Sequence, residues 1–280
     1  MHRHERFFMA GVMGHPVFHS RSPMLHNYWL EKYGLTGRYV PLDIHADGIE
    51  KGLRALPALG FSGCNLTMPY KETAIHYVDR VSPLVKQIGA MNCVVVTPDG
   101  ELEGHNFDAF GSVESIAQEV PHWRADAGPI VVLGAGGGSR AVVAGLADRG
   151  AKEIRVINRS ARRAERLVHA IGGPATALPW ESRDDAIADA ALVINTTSQG
   201  MRGQPPLDLD LHKLPLSAVV CDIVYVPKVT PLIAAARARG NLTVCGVGML
   251  LHQARPAFQA WFGIMPDITG ELRAMIEAGL

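Results

Sequence analysis

Ile130-Val131-Val132-Leu133-Gly134-Ala135-Gly136-Gly137-Gly138-Ser139-Arg140 is a short apolar run that ends in a glycine-rich turn. Ala141-Val142-Val143-Ala144-Gly145-Leu146-Ala147 follows it with the composition of a helix. A strand, a glycine turn and a helix in that order place backbone N–H groups at a helix N-terminus, where the phosphates of a dinucleotide can dock. The small-residue pattern is Gly134-x-Gly136-x-x-Ser139, with Ser in the third place. Glycine turns after strands are common, so the motif alone fits a plain tight turn equally well, and its surroundings must decide.

The next strand, Ile154–Ile157, ends where a dinucleotide fold carries an Asp or Glu for the ribose 2′-hydroxyl. This chain has Asn158-Arg159-Ser160-Ala161-Arg162-Arg163 there. A carboxylate would repel a 2′-phosphate, whereas guanidinium groups pair with it and can stack on adenine. The expected cofactor is therefore NADP. The plainer alternative is a solvated helix face of arginines with Ser160 as N-cap.

The remaining strands of this unit are Leu192–Asn195, Val219–Ile223 and Leu242–Val244, with helices between most of them, as parallel crossovers require. Met249–Phe262 reads as a helix, and a last helix runs from about Thr269. Upstream, Pro121 and the polar Arg124–Pro129 look like a boundary.

The first part of the chain is a second α/β unit. Phe7–Met13 reads as a buried strand, and Ser22-Pro23 starts a helix, with Ser as N-cap, that stops at Gly34. Tyr39–Leu42 is a strand that Pro41 assigns to an edge. Ile49–Leu56 is a helix and Gly63–Thr67 a strand, followed by a helix to about Val78. Met91–Thr97 and Glu101–His105 pair as a hairpin across Pro98-Asp99-Gly100. The fold class is α/β with two α/β domains. Residues 1–108 form a substrate-binding domain, to which about 249–280 return, and 109–248 form a Rossmann-like NADP-binding domain.

Composition narrows the classes. There are 27 basic and 27 acidic residues and no long basic run, which argues against a nucleic-acid partner. Cys64, Cys93, Cys221 and Cys245 show no C-x-x-C spacing, so reduced cytosolic thiols are expected. No apolar window is long enough to span a membrane, and the Met1–Arg6 start lacks a full signal-peptide pattern. A cytoplasmic monomer or homodimer is the default. Of the 12 histidines, none forms an H-E-x-x-H cluster and His2 and His4 look like tail residues, so no metal site is expected.

Polar groups follow the apolar strands of the first unit: His19–Ser22, Asn65-x-Thr67-x-Pro69-x-Lys71, Asn92 and Asn106–Asp108. A lysine with a nearby carboxylate can handle the proton of an alcohol, and the others can orient a polyhydroxylated substrate. Each also has a structural explanation: Ser22 and Asp108 as helix N-caps, Lys71 as a solvated residue of a first turn.

Nine segments together resemble the shikimate dehydrogenase family. They are Gly14–Pro23, Asn65–Lys71, Gly89–Asn92, Gly104–Asp108, Gly134–Arg140, Asn158–Ser160, Asn195–Met201, Asp222–Tyr225 and Gly246–Gln253. The family interconverts 3-dehydroshikimate and shikimate with NADP(H), in the biosynthesis of chorismate and the aromatic amino acids. The resemblance implies Lys71 and Asp108 as the catalytic pair and Ser20 and Ser22 on the substrate carboxylate. Thr67, Asn92, Tyr225 and Gln253 complete the pocket. Gly134, Ala135, Gly136, Gly137, Gly138, Ser139, Asn158, Arg159, Ser160 and Arg163 hold NADP, and Ile223, Gly246 and Met249 line its nicotinamide side. The family's usual Asn-Thr-Asp is Asn106-Phe107-Asp108 here, and its usual Asn-Thr is Asn92-Cys93. A lost hydrogen-bond partner at residue 107 would cost about 1–3 kcal/mol if it faced the substrate. Phe107 thus leaves open a paralogue for quinate, an amino-shikimate or a related cyclohexane acid. A non-catalytic ligand sensor is the alternative from another class, and intact Lys71 and Asp108 speak against it.

Overall fold

The computed structural model describes residues 7–280; Met1–Arg6, with His2 and His4, lie outside the described residues. The chain divides into two compact units, Met1–Phe107 with Gln253–Ala278 and Asp108–His252 with Gly279–Leu280.

The first unit runs β1 (Phe8–Gly14), α1 (Ser22–Lys32), β2 (Gly37–Asp43), α2 (Ile49–Ala55), β3 (Phe61–Leu66), β4 (Arg80–Val81), α3 (Pro83–Ile88), β5 (Cys93–Val96) and β6 (Leu102–His105). Its sheet has the order β2-β1-β3-β5-β6-β4. β1 is parallel to β2 and β3, while β5 is antiparallel to β3 and to β6. Pro41 does lie in an edge strand, where its missing N–H breaks no inner ladder. The hairpin closes as expected: Thr97 N–H donates to Glu101 O at 2.9 Å, and Gly100 takes φ +82°.

Two expectations need correction here, and two elements were missed. Ser22 is not an N-cap: Arg21 holds that position and Ser22 is the first helical residue, buried. Residues after Pro69 form turns and a 3-10 helix, Thr73–Tyr77, rather than an α-helix. That stretch is short and carries Thr73, Ile75, Tyr77 and Val78, whose branched or aromatic side chains favour α-helix poorly. β4 and α3 were not anticipated, because two residues are too few to show alternation.

The second unit contains α4 (Asp108–Glu119), β7 (Ile130–Leu133), α5 (Gly137–Asp148), β8 (Ile154–Ile157), α6 (Ala161–Ile171), β9 (Ala175–Leu178), α7 (Arg183–Ala186), β10 (Leu192–Asn195), β11 (Val219–Asp222), α8 (Pro231–Arg239) and β12 (Leu242–Val244). Its sheet is parallel throughout, in the order β12-β11-β10-β7-β8-β9. Every residue of β7 is buried, as for a strand covered on both faces. The strand order reverses between β7 and β10, so the glycine turn leaves the sheet at the switch point where such folds bind ligands. The polar stretch at 121–129 lies inside this unit rather than at its edge, because Ile116 of α4 and Val120 just after it share one core with Ile130 and Val142. The edge strand β9, Ala-Thr-Ala-Leu, was not anticipated from so weakly patterned a sequence.

α9 (Gly246–Phe262) starts earlier than the expected Met249, and the unit boundary falls within it, after His252. α10 (Gly270–Glu277) begins at Thr269, whose hydroxyl accepts from Leu272 N–H. The end of α9 and all of α10 pack onto the first unit. Trp261 Nε1 donates to Val94 O at 2.9 Å, Trp29 Nε1 to Asp267 O at 3.0 Å, and Phe258 and Phe262 are buried.

At the centre of that packing His26 is fully buried, its ring stacked on Tyr39 at 4.3 Å. Neither ring nitrogen has a hydrogen-bond partner among the described residues, and burial lowers the pKa from 6.5 to about 3. Because the folded state refuses a proton that the unfolded chain accepts, this group's contribution is full above the unfolded pKa and is lost as pH falls toward 3. At pH 5 the loss is about 2 kcal/mol. His26→Phe keeps the stack and removes both orphaned nitrogens. Thermal melts should show it losing less stability than the parent between pH 7 and pH 5, and equal losses would refute this account.

Candidate functional site

The first unit contributes a cluster at the ends of β1, β3 and β5. Thr67 follows β3, with its N–H on Met13 O at 2.9 Å, and its carbonyl accepts from Tyr70 N–H at 2.9 Å. Lys71 is next in this turn; its carbonyl takes Met91 N–H at 2.7 Å, so the backbone beneath the ammonium is tied to the segment that carries Asn92. Asn92 is buried, accepts Phe107 N–H at its Oδ1 (2.8 Å) and donates through Nδ2 to Gln253 Oε1 (3.1 Å). Gln253 arrives on α9. Ser20 and Ser22 sit in the loop before α1 and in its first residue, with Ser22 N–H on Ser20 Oγ at 3.3 Å. The structure therefore joins Thr67, Lys71, Asn92 and Gln253 through backbone and amide contacts, and joins Ser20 to Ser22. Asn106, one of the polar loop residues, is used by the fold: its Nδ2 donates to Ala90 O at 3.1 Å.

The two departures have different environments. Cys93 is fully buried and its thiol is pushed well up by burial, so it is a packed core residue. The Phe107 ring is half-buried and stacks on His105 at 5.7 Å and 6°. Burial lowers the His105 pKa, with Glu103 acting in the opposite sense.

The second unit contributes the glycine turn. Gly134 has φ +118°, a region that favours glycine, and a Cβ there would lie 2.5 Å from Thr196 Oγ1. Gly137, Gly138 and Ser139 form the first turn of α5, where N–H groups are unpaired within the helix. Ser139 itself points inward. Thr196 Oγ1 donates to Leu133 O at 2.6 Å, so Ser139 Oγ donates to Thr196 at 2.6 Å and accepts from Gly136 N–H at 3.2 Å. The third place of the motif is thus a buried brace that shapes the turn.

At the end of β8, Asn158 Nδ2 donates to Ser160 O at 3.0 Å, and Arg159, Arg162 and Arg163 are exposed. Ser160 occupies the N-cap position of α6, but its side chain makes no capping bond. Gly246 lies against Ile223, where a Cβ would be 2.3 Å from Ile223 O; a Cβ on Gly138 would be 3.2 Å from Ile223 Cδ1. Gly138, Ile223 and Gly246 are therefore neighbours, while Met249 is half-buried one turn along α9. The open, side-chain-free turn, the helix N-terminus and the exposed guanidinium groups fit a dinucleotide with a 2′-phosphate.

Asp108 is buried and opens α4. Tyr225 is half-buried, in the loop after β11. That loop is held by Asp222, whose carboxylate accepts from Asn195 Nδ2 (3.0 Å), Val224 N–H (3.0 Å) and Thr230 Oγ1 (2.7 Å). Burial nevertheless raises the Asp222 pKa to about 6, against the pull of those three donors. Asn195 in turn accepts from Thr197 N–H and Oγ1. Sequence reasoning did not assign Asp222, Asn195 or Thr230 a site role. The available signal was a polar residue closing an apolar strand, at Asn195 and Asp222.

Family models match residues 12–94 (shikimate dehydrogenase substrate binding domain), 115–202 (shikimate / quinate 5-dehydrogenase) and 246–277 (shikimate 5′-dehydrogenase C-terminal domain). The shikimate dehydrogenase (NADP(+)) of Paramagnetospirillum magneticum is 52% identical over 268 residues, 96% of this chain and 97% of that protein. The chain belongs to the shikimate dehydrogenase family.

Among solved structures of this fold, the shikimate 5-dehydrogenase of Thermus thermophilus in complex with NADP(H) and shikimate superposes with a TM-score of 0.86 at 35% identity, covering 96% of this chain and 99% of that one. The quinate dehydrogenase of Corynebacterium glutamicum in complex with NAD superposes with a TM-score of 0.88 at 32% identity, over 96% and 98%. The two-domain α/β architecture expected from the sequence is that of these structural neighbours, and the chain is an NADP-dependent oxidoreductase. Among the described residues no helix is long and apolar enough to cross a membrane.

Proposed function

We propose that the protein reversibly reduces 3-dehydroshikimate to shikimate with NADPH, in the cytoplasm, as part of the route to chorismate and the aromatic amino acids. The observation that carries this is the first unit's cluster, in which Lys71 shares backbone with the Asn92 segment and Asn92 grips Gln253. Its support from outside is identity of 52% with an NADP-dependent shikimate dehydrogenase. The 52% relative outweighs the Phe107 substitution, so a switch to quinate or an amino-shikimate is not favoured.

NADP+, when bound, supplies the hydride acceptor. Gly134, Ala135, Gly136, Gly137, Gly138 and Ser139 would form the turn that receives its pyrophosphate, with the N–H groups at the start of α5 facing it, and Asn158, Arg159, Ser160 and Arg163 would hold its adenosine 2′-phosphate. Ile223, Gly246 and Met249 would wall the nicotinamide. Ser20 and Ser22 hold the substrate carboxylate, and Thr67, Asn92, Tyr225 and Gln253 its ring hydroxyls. Lys71 takes the proton from the hydroxyl being oxidised and returns it in reduction. Asp108 would balance the charge of the ammonium, the role that the family resemblance implies for it.

Steady-state assays with shikimate and quinate, each with NADP+ and NAD+, test the assignment. Shikimate with NADP+ should give the highest kcat/KM of the four combinations. NADP+ binding without turnover of shikimate would overturn it. Arg159→Ala and Arg163→Ala should each raise the NADP+ KM about tenfold or more, as loss of a charge-assisted bond worth about 1.5–3 kcal/mol implies, and leave the NAD+ KM nearly unchanged.

A further inference from the structure

Tyr39 lies in the middle of the edge strand β2, and it is held more firmly than core packing requires. Its backbone is gripped from both sides by one side chain: Tyr39 N–H donates to Asn27 Oδ1 at 2.9 Å, and Asn27 Nδ2 donates to Tyr39 O at 2.9 Å. Its ring, 1% exposed, lies on the His26 ring. Backbone and ring together aim the phenol at Asn65 Oδ1, at 2.7 Å.

The direction of this bond follows from its neighbour. Asn65 Nδ2 donates to the backbone carbonyl of Asn92 at 3.0 Å, and a carbonyl can only accept. The Asn65 amide is therefore fixed with its oxygen toward Tyr39, and the phenol must donate. Burial pushes the phenol's pKa well up, so that proton is permanent, and the Ser22 hydroxyl interacts with the same oxygen. The Asn92 carbonyl also accepts Leu66 N–H at 2.8 Å, and its side chain holds Gln253 and Phe107 N–H. A chain of directed bonds thus runs from Tyr39 through Asn65 to Asn92 and ends on Gln253. Cooperative networks of this kind fix side-chain geometry when every member is satisfied.

We propose that Tyr39 is a positioning residue for the substrate half of the site, acting through Asn65 to hold Asn92 and Gln253 in their binding geometry. This rests on the assignment of Asn92 and Gln253 to the substrate. Without the phenol, Asn65 Oδ1 is a buried acceptor with no donor, its amide is free to turn, and the Asn92 carbonyl loses one of its two donors. The bonds from Tyr39 to Asn65, Asn65 to Asn92 and Asn92 to Gln253 involve no residue assigned to NADP.

The test is Tyr39→Phe, Asn65→Asp and the double variant, assayed with shikimate and NADP+ beside the parent enzyme. Asn65→Asp keeps an acceptor for the phenol but has no donor for Asn92 O, so it should reproduce the Tyr39→Phe phenotype. Each single variant should raise the shikimate KM about five- to tenfold, while the NADP+ KM stays within about twofold. The double variant should be no worse than the more impaired single one, as expected of two members of one relay. Equal shifts in both KM values, or effects that multiply in the double variant, would overturn the proposal. Should Tyr39→Phe give no folded protein, Asn65→Asp alone carries the KM comparison. A parent enzyme that binds NADP+ but turns over no shikimate would overturn the substrate assignment and this inference with it.

Discussion

Lys71→Ala should lower kcat by about two to four orders of magnitude, the range set by loss of a positioned proton-transfer group. One interaction that ties this position into the fold is its carbonyl bond to Met91 N–H, which alanine retains. The variant should therefore fold and bind NADP+ with a Kd within about twofold of the parent, since the change removes a side chain and no backbone partner. Lys71→Arg keeps a cation but replaces a compact ammonium with a planar fork that does not give up its proton, so it should recover binding of shikimate more than turnover. Cofactor titration, together with the fall in kcat, separates an enzyme from a ligand sensor. A sensor would keep its ligand response and have little turnover to lose. A Lys71→Ala variant within about tenfold of the parent kcat would remove Lys71 from the chemistry.

Gly63→Ala should be the most damaging single methyl in the first unit. Gly63 lies in β3, and a Cβ there would be 2.0 Å from Val94 O and 2.4 Å from Trp261 Nε1. Those two atoms are bonded to each other across the position, at 2.9 Å. The methyl would have to push the indole off the sheet, and the backbone at φ +151° is one that a side chain resists. Overpacking costs about 1–3 kcal/mol and an unmade buried hydrogen bond about 1–3 kcal/mol, so a loss of about 3 kcal/mol or more is expected. At about 2–4 °C per kcal/mol for a chain of this size class, Tm should fall by about 10 °C. A change of only about 2 °C would mean that the indole moves aside freely.

Much of the fold was legible because its signals are local. Apolar runs bounded by glycine gave β3 and β7, Pro98-Asp99-Gly100 gave the hairpin, and Pro41 gave the edge. What escaped was short or conformationally neutral: β4 has two residues and β9 reads Ala-Thr-Ala-Leu, while the stretch from Pro69 to Val78 was read as a helix although it carries no helical stripe. At the site, residue types were legible and partnerships were not. Tyr39, Asn65 and Asn92 are successively 26 and 27 positions apart, and no spacing rule links an edge-strand phenol to a carbonyl three strands away. Ser139 shows the opposite case. Its place in the glycine motif suggested cofactor contact, whereas its hydroxyl braces the turn from within. Phe107 drew attention as a change of side chain, yet what ties residue 107 to Asn92 is its backbone N–H, which any residue but proline would supply.

The return of residues 253–278 to the first unit sets an order of events during synthesis. The strands β1, β2 and β3 leave the ribosome early, but Trp261, Phe258 and Phe262, which cover one face of them, come only after 145 intervening residues of the other unit, Asp108–His252. At about 5–20 residues per second, that face waits on the order of ten seconds with its apolar side chains wet. The second unit, by contrast, has nearly all its residues in one continuous stretch and can fold while it is being made. A growing chain of this protein therefore passes through a stage in which its later half is finished and its earlier half is not, and during that stage it is the first-made sheet that needs shelter from aggregation.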